Sequence, residues 1–162
     1  MKPTKLSELI EAVEFDSAVH TQRVDLQNGC VVRVETSVLS AVEEGDEDAV
    51  NELPDWQKPE VEEARAIVAD SGERFVAAPA QADFHEYQHM ERFIGTVADD
   101  GAAEQLWRAI KGKGAFRRFQ DAAGRLGVLE QWYRYREAAI KEFVVAWAGA
   151  NSVPYEDNTK AR

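Results

Sequence analysis

The sequence predicts an α+β fold: a small antiparallel sheet, made of an N-terminal hairpin and a short third strand, packed against a C-terminal helical bundle of about four helices. Three observations carry this prediction. Two β-prone runs flank Gln27-Asn28-Gly29, a turn-forming tripeptide. Helical periodicity fills the chain from Asp83 almost to its end. Strands precede helices instead of alternating with them, which favours an antiparallel sheet covered by helices over a parallel βα array.

Thr4 is placed to cap a first helix, whose Leu6, Leu9, Ile10 and Val13 recur at helical spacing on one face. The hairpin follows as Val19 to Leu26 and Cys30 to Thr36. Of the registers open to it, a turn with Gly29 left-handed pairs Leu26 with Cys30 and Val24 with Val32. Val24, Leu26, Cys30, Val32 and Val34 then share an apolar face, leaving Arg23, Asp25, Arg33 and Glu35 to solvent. The acid-rich stretch 41–57 shows no apolar period and reads as a mobile, solvated loop.

Pro59 suits the first turn of a helix carrying Val61, Ala64 and Val68, with Gly72 beyond its end. Arg74 to Ala77 reads as the third strand. Four apolar stripes come next: Tyr87, Met90, Ile94 and Val97; then Ala103, Leu106, Trp107 and Ile110; then Phe116, Phe119, Ala123 and Leu126; and last a long helix from Leu129 to about Ala148 that includes Trp132 and Tyr133. With no Pro/Gly/Ser-rich linker, residues 1–150 read as one domain and 151–162 as a polar tail.

Composition narrows the function classes. No apolar run approaches the roughly 20 residues of a membrane span, so a soluble protein without a membrane partner is expected. The glutamates of the first helix interrupt any export signal, and Cys30 is the sole cysteine, so the cytoplasm is the expected compartment. A net charge of -11 repels nucleic acid at long range, so a nucleic-acid partner needs a locally basic face. One such run exists: Arg108, Lys111, Lys113, Arg117 and Arg118 follow one another with no acid between them, while acids crowd the span from Glu43 to Glu63.

Two motifs compete for chemistry. His85-Glu86-Tyr87-Gln88-His89 matches H-E-x-x-H, in which two imidazoles one helical turn apart hold zinc and the glutamate acts as base. At about 100° per residue, however, His85 and His89 lie nearly opposite the Tyr87, Met90, Ile94 and Val97 stripe, the only other histidine is His20 on the distant hairpin, and the available carboxylates Glu91 and Glu104 are not compelling as a third ligand. A solvated helix face is the favoured account of His85, Glu86 and His89, and no cofactor is expected.

The second motif is Lys111-Gly112-Lys113-Gly114, followed by Arg117 and Arg118. Its glycines suit a tight reversal between two helices, and its basic side chains surround a helix start suited to phosphate or carboxylate. It lacks the spacing of a nucleotide-binding P-loop. Trp132 to Arg136 also interleaves aromatics with arginines, but Trp132 and Tyr133 fall on the core stripe and leave Tyr135 outside.

The run Gly112 to Asp121 resembles the G-K-G-A-F-R-R-F-K-D block of the uncharacterised protein family UPF0158, with Gln120 where lysine is usual. Asp25 with Asn28 to Val31, Phe75 to Pro79, Tyr87 to Ile94, and Trp132-Tyr133 resemble other parts of that family's pattern, so the resemblance covers about residues 20–148. It implies a fold and no established activity. The residues themselves point to a non-enzymatic binding or regulatory module that engages an anionic protein or nucleic acid through Lys111, Gly112, Lys113, Gly114, Arg117 and Arg118. An enzyme acting on a phosphorylated small molecule at the same loop is the alternative.

Overall fold

A computed structural model describes residues 1–159. In chain order the first half holds β1 (Thr4–Lys5), α1 (Leu6–Glu14), β2 (His20–Asp25), β3 (Cys30–Glu35), α2 (Thr36–Glu44), α3 (Glu47–Asn51), a 3-10 turn (Asp55–Gln57), α4 (Lys58–Ala69) and β4 (Phe75–Ala77). The second half holds α5 (Gln81–Phe84), α6 (Glu86–Ile94), α7 (Asp100–Ala109), α8 (Ala115–Arg125), α9 (Leu129–Ala150) and β5 (Tyr155–Glu156). These form two compact units, one of residues 1–81 with those from 144 onward, the other of residues 82–143. The fold is α+β, with a three-stranded antiparallel sheet in the order β3-β2-β4.

The hairpin is present and Gly29 is left-handed, at φ 67°, but the register differs from the expected one. Asp25 pairs with Cys30, Val24 with Val31 and Arg23 with Val32. The cause is Asp25, which is buried and not solvent-facing. Its Oδ1 accepts from the Gln27 amide at 3.0 Å and its Oδ2 from Asn28 Nδ2 at 3.0 Å, while its carbonyl accepts from the Gly29 amide at 2.8 Å. An aspartate closing its own turn in this way holds four residues in the loop, and β2 ends where the side chain is used. A pattern of valines cannot reveal that.

Residues 41–57 form no open loop. α2 and α3 occupy most of the stretch, with Gly45 left-handed at φ 70° after α2 and Asp46 capping α3 through the Ala49 amide. Val38 and Leu39 of α2 bury against Val34 of β3 and against Val61 and Ala64 of α4, with Val42, Val50, Leu53 and Ile67 packed around them. The acids stand on the outer faces of amphipathic helices, whose apolar residues are too sparse to register as a period. α4 does carry Pro59 in its first turn, as its sequence implies.

The chain start and the polar tail also depart from expectation. Thr4 caps nothing; it lies in β1, buried, and Lys5 occupies the cap position of α1. β1 pairs in parallel with β5, Val153 is buried, and Asn158 accepts from the Ser7 amide at 3.0 Å and donates to Ser7 Oγ at 2.8 Å. The described part of the tail, 151–159, is therefore docked, through backbone pairing that its polar sequence does not advertise.

In the second unit Met90, Phe93, Ile94, Leu106, Ile110, Phe119 and Trp132 form one buried cluster with three alanines of α8. Three aromatics of α8 and α9 contradict the stripes read from the sequence. Phe116 is half-exposed, because Ala115, Phe119, Ala122 and Ala123 define the buried face of α8. Tyr133 is exposed, whereas Tyr135 packs at 5.5 Å from Phe93 and 6.3 Å from Trp132. With Trp132 inward, the residue three positions on shares its face and the adjacent one does not.

Candidate anion-binding loop

The basic glycine loop links α7 to α8. Asp99 starts α7 by accepting from the amides of Gly101 at 2.9 Å and Ala102 at 3.1 Å, and Leu106 and Ile110 anchor its buried face. The chain then reverses through Gly112 at φ 82° and Gly114 at φ 74°. Both lie in the left-handed region, where a side chain costs about 1–2 kcal/mol. α8 begins at the next residue, its cap position filled by Gly114.

A helix leaves its last carbonyls without partners, and here Arg118 supplies them. Its Nε donates to the Ala109 carbonyl at 3.1 Å, and its two terminal nitrogens donate to the carbonyls of Lys113 and Lys111. Tyr87 Oη donates to the Ile110 carbonyl at 3.0 Å. The turn is held by side chains reaching in from α8 and α6. A Cβ on Gly114 would stand 3.4 Å from an Arg118 terminal nitrogen, an ordinary contact, so the positive φ and not crowding is what favours glycine there.

The six predicted site residues thus meet in one turn but divide in role. Gly112 and Gly114 set the backbone, and Arg118 faces carbonyls, which bars it from serving as a free anion contact. Lys111, Lys113 and Arg117 are exposed and have no ion pair among the described residues. Among the described residues Arg117 makes no ion pair with Asp121, four positions on. Arg108, by contrast, pairs with Glu104 one turn back.

Two exposed aromatics accompany the three cations, and the sequence reading missed both by assigning them to stripes. Phe116, in the first turn of α8, is 50% exposed, and Trp107, one turn before Lys111, is 39% exposed. The alanines could have exposed the error, since on the α8 wheel Ala115, Ala122 and Ala123 complete the buried face without Phe116.

The histidine motif is taken apart by the backbone. α6 begins at Glu86, and His85 precedes it in a left-handed conformation, φ 54° and ψ 58°, so the two imidazoles are not presented by one helix. His89 is half-buried, its ring stacked on Phe84 at 4.4 Å and 18°, and so does not face open water as expected. Glu86 is engaged by Arg136 Nε. In the aromatic–arginine run, Arg134 pairs with Glu130 at 2.9 Å.

No helix among the described residues is long and apolar enough to cross a membrane. Comparison with known proteins matches residues 48–158 to the model of an uncharacterised protein family, UPF0158, and the chain belongs to that family. The match takes in the whole glycine loop and leaves out the hairpin β2–β3. No curated protein and no solved structure matches the chain.

Proposed function

We propose that this UPF0158 member is a non-enzymatic binding or regulatory module that engages an anionic partner through Lys111, Lys113 and Arg117, on the turn formed by Gly112 and Gly114. The observation that carries this reading is a division of labour: Arg118 satisfies the turn's carbonyls, which leaves three neighbouring cations exposed and, among the described residues, without ion pairs. Three exposed cations on and just after a braced turn give a locally positive stretch in a chain of net charge -11. A braced turn loses little freedom on binding, so the entropic penalty of ordering it is small.

Residues 111–118 hold only lysine, arginine, glycine, alanine and phenylalanine. Binding therefore suits this turn better than catalysis, which needs a general base or an activated nucleophile in reach. We read α6, α7, α8 and the start of α9 as a bundle of about four helices that displays the turn, supported by their shared buried cluster. A single cysteine, Cys30, supports residence in the cytoplasm.

The test uses inorganic polyphosphate, an anion with neither base nor peptide. Titrated into the full chain at low salt and followed by amide NMR, it should shift Lys111 to Arg118 saturably. A Lys111→Ala, Lys113→Ala, Arg117→Ala variant that folds normally should lose those shifts. Unchanged shifts in the variant, or shifts centred elsewhere, would overturn the assignment.

A further inference from the structure

Resting on that reading, we infer that the anionic partner of the turn is single-stranded nucleic acid, recognised by Lys111, Lys113 and Arg117 at its phosphates and by Phe116 and Trp107 at its bases. The inference stands on two exposed aromatics that lie next to the cations along the chain. Phe116 sits between Lys113 and Arg117 in sequence and shows half its surface, at the edge of a helix face whose buried residues are fixed independently by Ala115, Phe119, Ala122 and Ala123. Trp107 stands one helical turn before Lys111 and is also partly open. Two rings and the three cations thus fall within residues 107 to 117.

Ring chemistry selects among anions. The face of an aromatic ring carries negative potential and repels a carboxylate, so rings among the cations work against an acidic peptide. An unpaired base offers a π-face for stacking, whatever its identity, while its phosphate meets the neighbouring cation. A duplex keeps its bases stacked on one another and out of reach of such rings, so a single strand fits and a double strand does not. Three cations imply a shallow salt dependence, with log K falling by about two per decade of salt at roughly 0.7 per phosphate contacted.

Fluorescence anisotropy on the full-length chain tests this with three probes at low salt: a short labelled oligothymidylate, a duplex of equal length, and a labelled polyglutamate of similar charge. The oligothymidylate should bind most tightly. Phe116→Ala should weaken it by about tenfold, within the range of one stacked base, without altering the salt slope. Phe116→Trp should restore it, and this rescue separates stacking from any loss of fold. If polyglutamate binds as well as oligothymidylate and Phe116→Ala changes neither, the nucleic-acid inference falls while the anion-site reading stands. If the duplex binds as tightly as the single strand, stacking is not the recognition mode and the inference also falls. If polyphosphate and all three probes fail to bind, both readings fall together.

Discussion

Arg74 grips Asp25 with two nitrogens, Nε to Oδ1 and Nη2 to Oδ2, each at 3.0 Å. The pair ties β4 to the end of β2, and the same carboxylate closes the hairpin turn. Side-chain hydrogen bonding from Arg74 is the leading reason that the Asp25 carboxyl lies below its ordinary value near 3.8, with the Asn28 and Gln27 amides adding to it and burial opposing it. A carboxyl depressed in the folded state binds its proton more readily when unfolded. Its stabilisation is thus complete above the ordinary value and is lost as pH falls through the lower folded value. Asp25→Ala should cost about 2–3 kcal/mol in urea unfolding, less than for a fully enclosed pair because Arg74 keeps contact with water. The variant should also lose part of the acid sensitivity between pH 4 and the folded value; an acid limb identical to that of the parent would show that Asp25 does not contribute it.

Gly29 and Gly45 have nearly the same backbone angle, φ 67° and 70°, but different surroundings. A Cβ on Gly29 would stand 2.6 Å from the Pro3 carbonyl oxygen and 2.9 Å from Lys2 Cβ, whereas nothing lies within 4 Å of one on Gly45. Gly45→Ala should therefore cost only the left-handed backbone term, about 1 kcal/mol, and Gly29→Ala that term plus a displacement of the first residues, about 2 kcal/mol or more. Equal losses in thermal unfolding would mean that the contact with Pro3 carries no weight.

Arg118 and Arg117 are adjacent arginines with opposite tasks. Arg118→Ala should free the carbonyls of Ala109, Lys111 and Lys113, lower stability by about 1 kcal/mol, and speed amide exchange across the turn. Arg118→Lys should recover little, since one ammonium cannot reach three carbonyls in a fork. Arg117→Ala should leave exchange untouched and weaken anion binding only.

His89 lies below its ordinary value near 6.5, first because burial disfavours its charged form and then because Arg92 is close; Glu86, Glu142 and a hydrogen bond involving the Phe84 backbone oppose this. The folded state binds the proton less readily than the unfolded one. Stability is therefore complete above about pH 6.5 and declines as pH falls toward the folded value. Proton NMR of the imidazole should locate that value, and His89→Phe, which keeps the stack on Phe84, should flatten this part of the pH profile.

Much of this architecture is legible from residue order. The hairpin, the Pro59 helix start, the third strand and the stripe of Met90 and Ile94 all follow from periods and turn residues. The misread parts share a cause: one side chain has a use that pattern alone cannot show. Asp25 looks like a surface acid and is a buried clasp. Val38, Val42, Val50 and Leu53 are too diluted by glutamate and aspartate to look like helices. Phe116 looks like core because its neighbours' small alanines do not look like a face. At the loop, position was legible and role was not, since nothing in the order of Arg117 and Arg118 tells which one turns back onto the carbonyls.

The parallel pairing of Thr4 with Tyr155 and Lys5 with Glu156 has a temporal meaning as well as a structural one. Ser7 and Asn158, bonded to each other, lie 151 positions apart. A chain made from its N-terminal side onward must hold that segment unmatched until all the intervening residues have left the ribosome. Residues 4–7 thus gain these partners only once residues 155–158 exist, so the clasp between them is among the last contacts a growing chain can make.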